Sequence, residues 1–175
     1  MTPHRVLPAL ALTALLALTA CDSSGPQDAS ITIALGAVTA DGQCDNDTNP
    51  GDFQFQIEVA DLGDSAIQTF SLPEGATYGV WDADDLAPLF RGEQLQIGRT
   101  VSFQQPREAG SGFTVTLGGM EWDTETTRDP RLDDARDDRT HLFVGDQFQN
   151  VAGTQELTAG SSTCSVTLDY DISVQ

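Results

Sequence analysis

The 175-residue sequence predicts an all-β fold, an antiparallel β-sandwich of about seven to nine strands behind an apolar N-terminal leader. Three observations predict it. Apolar and polar residues alternate over short runs, the signature of strands with one buried face. Clusters of Gly, Pro, Asn and Asp punctuate those runs. No stretch of the domain keeps an amphipathic 3.6-residue period for three turns.

The elements follow in order. Ile31, Ile33 and Leu35 alternate with Thr32 and Ala34, and Phe53, Phe55, Ile57 and Val59 alternate with Gln54, Gln56 and Glu58. Phe113, Val115 and Leu117 repeat the pattern. Cys164, Val166, Leu168, Tyr170, Ile172 and Val174 carry it almost to the C-terminus. Weaker strands are expected at 67–72, 78–81, 95–97, 101–103 and 141–144, and at most one helical turn at 84–89. Turns are expected at Asn49-Pro50-Gly51-Asp52, Pro73-Glu74-Gly75, Pro106 through Gly112, and Ala159-Gly160-Ser161.

The N-terminus is organised differently. Arg5 precedes the apolar run VLPALALTALLALTA, and small residues stand before Cys21. This is the three-part layout of a secretory signal, and it is shorter than the roughly 20 apolar residues of a comfortable membrane span. Leu18-Thr19-Ala20-Cys21 resembles the lipobox of bacterial lipoproteins. The resemblance implies cleavage before Cys21, a diacylglycerol on its thiol and acylation of the new amino terminus, palmitate being the typical chain. The expected organisation is a signal peptide at 1–20, a polar flexible tether at 21–29 and one domain at 30–175. The expected address is the non-cytoplasmic side of a bacterial membrane, the outer one in a cell with two. Asp22, just after the lipid site, resembles the signal that retains enteric lipoproteins in the inner membrane.

After cleavage seven arginines face 27 acids, a net charge of −20, with no lysine anywhere in the chain. Such a field repels nucleic acid and anionic headgroups and favours cations or basic partners. A lysine-free, Asp-heavy surface resembles proteins adapted to salt, where self-repulsion is screened over a Debye length near 3 Å at 1 M. Specific divalent-cation binding is the sharper alternative. Cys44 and Cys164 are the cysteines left after Cys21, and an even pair in an exported domain is expected to form a disulfide.

Two acidic stretches are candidate sites. Between the first two strands, Asp45, Asp47 and Asn49 offer oxygens at alternate positions, with Asp41 and Asp52 nearby, as a hard cation such as calcium requires. The run resembles the start of an EF-hand loop, but Gly51 comes one place late and Gln56 stands where that loop ends in Glu. The second stretch runs from Glu121, Trp122, Asp123 and Glu125 through Asp129, Asp133, Asp134, Asp137 and Asp138, interleaved with Arg128, Arg131, Arg136 and Arg139. It reads as a salt-bridged loop of roughly eighteen residues, long enough to suggest function or mobility.

A sandwich with both stretches resembles a C2-like domain, the runner-up architecture being immunoglobulin-like. That resemblance implies calcium held at one end by aspartates, here Asp41, Asp45, Asp47, Asp123, Asp133 and Asp134. Catalysis has little support: the sequence carries no G-x-S-x-G elbow, H-E-x-x-H or Cys–His pairing, and the mature part has one histidine, His141. The pair Glu121 and Asp123 could serve glycoside hydrolysis only as one of many carboxylate pairs. The expected role is a non-enzymatic binding or structural module with an envelope-protein or glycan partner. The alternative is a carbohydrate-binding or hydrolase-accessory domain using Trp81, Trp122, Tyr78 and Tyr170.

Overall fold

The computed structural model describes residues 28–42, 44, 49–124, 127–129, 131–132, 134–149 and 154–175. The leader, Cys21 and all of the tether before Asp28 lie outside them. In chain order the strands are β1 (Ala29–Gly42), β2 (Gly51–Asp61), β3 (Ala66–Leu72), β4 (Ala87–Leu89), β5 (Gln94–Gln105) and β6 (Gly112–Thr124). They continue with β7 (Thr127–Arg128), β8 (Ala135–Val144), β9 (Gln147–Phe148), β10 (Thr154–Gly160) and β11 (Cys164–Val174). One 3₁₀ turn, Ala83–Asp85, precedes β4. Among the described residues no helix is long and apolar enough to cross a membrane.

The strands form two antiparallel sheets packed as a sandwich. One has the order β10-β11-β1-β5, and the other β3-β2-β6-β8-β9 with β4 added to β2 and β7 to β6. The predicted alternation supplies the facing layers. Ile31, Ile33 and Leu35 of β1 and Val166, Leu168, Tyr170 and Ile172 of β11 are buried on one side. Phe53, Phe55, Ile57 and Val59 of β2 and Phe113, Val115 and Leu117 of β6 are buried on the other. Side chains of the two inner faces make one continuous core.

The period in β1 breaks at a bulge. Register with β11 shifts between Leu35 and Val38, and register with β5 between Leu35 and Ala37. The inward set therefore changes phase from Leu35 to Val38 and Ala40, as an extra residue in one strand of a pair requires. A Cβ at Gly36 would lie 3.1 Å from the Asp169 carbonyl oxygen, so the bulge brings two backbones close together there.

Several expectations need correction. Residues 78–81 are not a strand; they belong to the connection between β3 and β4. The separate strands expected at 95–97 and 101–103 are one strand, β5, whose polar residues face outward on a sheet edge. The eighteen-residue acidic loop is shorter, because Arg136, Asp137, Asp138 and Arg139 stand on β8, paired with Val115 through Gly118 of β6. That strand lacks the apolar half of the alternation over its first six residues, so hydrogen bonding to β6 reveals it and hydropathy does not. Ala159 and Gly160, expected in a turn, end β10, where Leu157 and Ala159 are buried.

Cys44 and Cys164 are joined, with S–S 2.13 Å and Cα atoms 4.5 Å apart. The bridge links residues 120 apart and sits where β1 ends and β11 begins, Gly42 pairing with Cys164. At the other side of the core, His141 is fully buried, with Nε2 3.0 Å from the Tyr170 hydroxyl and the ring against Phe113 and Phe148. Burial, reinforced by the charge of Arg139, pushes its pKa down to about 4.

Replacing both Cys44 and Cys164 by Ala frees a loop closure that chain entropy values at about 4–5 kcal/mol, so urea unfolding should show a loss approaching that size. His141 takes a proton near pH 6.5 when unfolded and only near 4 when folded. The unfolded state binds more protons between those values, so stability falls as pH drops through that window, by about 3 kcal/mol from this residue. Urea midpoints at pH 7 and pH 4.5 should differ less in His141→Gln than in the wild type.

Candidate functional site

β6 carries its inward face past the apolar core. Phe113, Val115, Leu117 and Gly119 point between the sheets, with Gly119 against Val166 of β11. Alternation along a strand puts Glu121 next in that row and Asp123 after it. Glu121 is 1% exposed, opposite Phe53 on β2. A Cβ at Gly51 would come within 2.6 Å of the Phe53 ring and 3.3 Å of Glu121 Cγ, so glycine there makes room for both.

A hairpin brings in a third acid. After β6 the chain folds back through β7, pairing Arg128 with Trp122 and Thr127 with Thr124. The Asp129 N–H then donates to the Glu121 carbonyl at 2.8 Å. Asp129 is 0% exposed. Its carboxylate accepts from the Arg131 backbone N–H at 2.8 Å and from the Arg131 guanidinium through Nε at 3.0 Å and Nη2 at 2.7 Å. The Asp129 carbonyl accepts from the Leu132 N–H at 3.1 Å, and Leu132 is buried beneath the turn. A Cβ on Gly160 would press against Leu132, which closes this end of the core. Charge-assisted bonds of this kind are among the stronger ones a turn can make. The hydrogen bond to Asp129 holds the Arg131 guanidinium above its ordinary range.

Glu121, Asp123 and Asp129 each place a ligand atom within 4.8 Å of the others. Glu121 Oε2 is buried and receives no hydrogen bond from any donor among the described residues. Burial pushes the Glu121 acid up to about 8. A proton shared with Asp129 and the charges of Asp123 and Asp129 act in the same direction, against a backbone bond from Asp52. Two ionised carboxylates only accept, so a hydrogen bond between them needs a proton on one. The arrangement can therefore hold either a proton or a cation between its oxygens.

On the outer face of the same strand, Trp122 is buried with the Arg128 guanidinium 5.2 Å from its ring centre. Arg128 Nη2 donates to the Gly79 carbonyl at 2.6 Å. Buried Gln54 accepts from the Gly79 N–H at 3.0 Å and donates to the Val80 carbonyl at 2.8 Å. The β3–β4 connection is thereby bound to this sheet.

The six aspartates of the C2-like resemblance fare unequally. Asp45, Asp47 and Asp133, like Cys21 with its expected lipid, lie outside the described residues. Asp41 is half-buried at the end of β1, and exposed Asp134 pairs with Arg136 at 3.4 Å. Asp123 joins the cluster, whose other members, Glu121 and Asp129, that resemblance did not select. A signal for Glu121 was present, since it stands in phase with Phe113, Val115 and Leu117. Nothing local marks Asp129, which arrives through the hairpin. Both acidic stretches leave the sandwich at the same end, where Asp52 pairs with Trp122 and Cys44 is bonded to Cys164. Of the four aromatics weighed for a carbohydrate face, Trp122 and Tyr170 are buried, and half-buried Tyr78 lies under Arg136.

No protein-family model matches the chain, and no curated protein matches it.

Arg131→Met should destabilise the fold by about 2 kcal/mol at pH 8, because Asp129 loses a charged hydrogen-bond partner while staying buried. Urea unfolding checks this, and the loss should shrink in the double variant Arg131→Met/Asp129→Asn.

Proposed function

We propose that this chain is a lipid-anchored lipoprotein of the bacterial cell envelope whose acidic β-sandwich is a non-enzymatic binding or structural module. The observation that carries the reading is the sequence Leu18-Thr19-Ala20-Cys21 after a short apolar leader, followed by a polar tether. Two or more acyl chains anchor stably where one is marginal, because each buried CH₂ contributes about 0.8 kcal/mol.

On this reading the domain stands on the membrane in a definite orientation. The tether meets the domain at Ala29, the start of β1, and the fourteen residues of β1 end at Gly42 beside the disulfide. At about 3.3 Å per residue that strand is roughly 45 Å long. A lipid at Cys21 therefore holds the Ala29 end near the bilayer and presents the end with Glu121, Asp123 and Asp129 to the medium. The net charge of −20 after cleavage favours a cation or a basic surface as what meets it. The non-enzymatic part is supported by the place of His141. The general base most often used at neutral pH is here buried against Tyr170, facing the core.

The native protein should have the intact mass of a chain beginning at Cys21 plus a diacylglyceryl group and an N-acyl chain. Cys21→Ala should move it from the membrane fraction to the soluble one. A native mass with residue 21 missing or unmodified overturns the tethered placement.

A further inference from the structure

We propose that Glu121, Asp123 and Asp129 bind a single calcium ion at the end of the sandwich remote from Ala29. The inference deepens the binding-module reading and rests on it for biological setting only, since the three residues belong to the folded domain whether or not Cys21 carries lipid.

Three acids in one place are common in a chain with 27 of them, and proximity alone would carry nothing. The independent observation is Glu121 Oε2. This oxygen is held inside the protein by a side chain 1% exposed, and it has no hydrogen-bond donor among the described residues although the Asp52 backbone serves the same carboxyl group. A buried acceptor without a partner costs about 1–3 kcal/mol, more when charged, and the carboxyl group that bears this one has an oxygen within 4.8 Å of ligand atoms of Asp123 and Asp129.

The rest of the site suits a hard cation. Its ligand atoms are carboxylate oxygens within 4.8 Å of one another, and calcium takes six to eight oxygens in flexible geometry. Once an ion displaces the proton between Glu121 and Asp129, the three carboxylates and the Arg131 guanidinium that clamps Asp129 sum to two negative charges, which a divalent ion balances. The clamp makes Arg131 a positioning residue, because it fixes Asp129 beside Glu121. Asp123 is exposed, so water can reach the ion from its side and complete the coordination. Magnesium, which demands near-ideal octahedral geometry and gives up water reluctantly, suits this rim less well.

The test uses the full chain in detergent, stripped with EDTA and titrated with CaCl₂ in a calorimeter at constant high NaCl, with MgCl₂ as the parallel arm. Melting temperature is followed in the same samples. Saturable calcium binding that raises the melting temperature is expected, with weaker binding of magnesium. Glu121→Gln and Asp123→Asn should each weaken calcium binding by at least about tenfold, while Asp84→Asn and Asp138→Asn should bind as the wild type does. Ion-free Glu121→Gln should melt at or above the wild-type temperature, since the amide stays neutral at every pH in this buried position. If it fails to fold, exposed Asp123→Asn carries the comparison. Three results would each overturn the site: no saturable heat, a response reproduced by NaCl of equal ionic strength, or wild-type affinity in Asp123→Asn. Stabilisation by acid without any response to calcium would assign the gap to a proton and overturn it as well. None of these outcomes touches the lipid at Cys21, which intact mass decides separately.

Discussion

Two inner faces must be covered at once in this molecule, and each covers the other. β1 and β11 bury Ile31, Ile33, Leu168 and Tyr170 against Phe53, Phe55, Val115 and Leu117 of β2 and β6. Each inner face meets the other, so the sandwich is the arrangement that removes this surface from water. The register of every central strand is held by this demand, because a slip of one residue would turn its apolar set outward. The bulge in β1 shows the same demand at work: the extra residue lets Val38 and Ala40 stay inside after Leu35.

The acidic end depends on that register too. Once Leu117 and Gly119 face inward, Glu121 must follow them into the space between the sheets, and its carboxyl group becomes a core group. The hairpin through β7 then sets Asp129 beside it, and Arg131 and Leu132 seal the turn above. At the same end the Cys44–Cys164 bridge joins the start of one acidic stretch to the last strand. The covalent tie and the buried acids thus share one pole, and His141 with its aromatic neighbours packs into the core away from it.

Much of the fold was legible in the sequence because a half-buried strand writes its face into every second residue. The strong strands at 31–35, 53–59, 113–117 and 164–174 all lie within observed strands, and Cys164 in phase with Val166 and Leu168 pointed to a buried bridge. Elements whose existence rests on pairing were less visible. β8 opens with Ala-Arg-Asp-Asp-Arg-Thr and looks like loop until β6 is placed beside it. β10 is short and ends in residues that read as a turn.

Local chemistry in the sequence determined the all-β class, the excess of acid and the pair of cysteines available for bonding. These are properties of residue types and of period two, and they need no knowledge of what lies opposite. Which acids meet was decided only in three dimensions. Asp123 and Asp129 are six positions apart with a hairpin between them, and Glu121 is buried because of a sheet formed by strands far away in the chain. Distances between side chains depend on ladder register and chain reversal, which are non-local, and a one-dimensional pattern carries the face of a residue without carrying its partner.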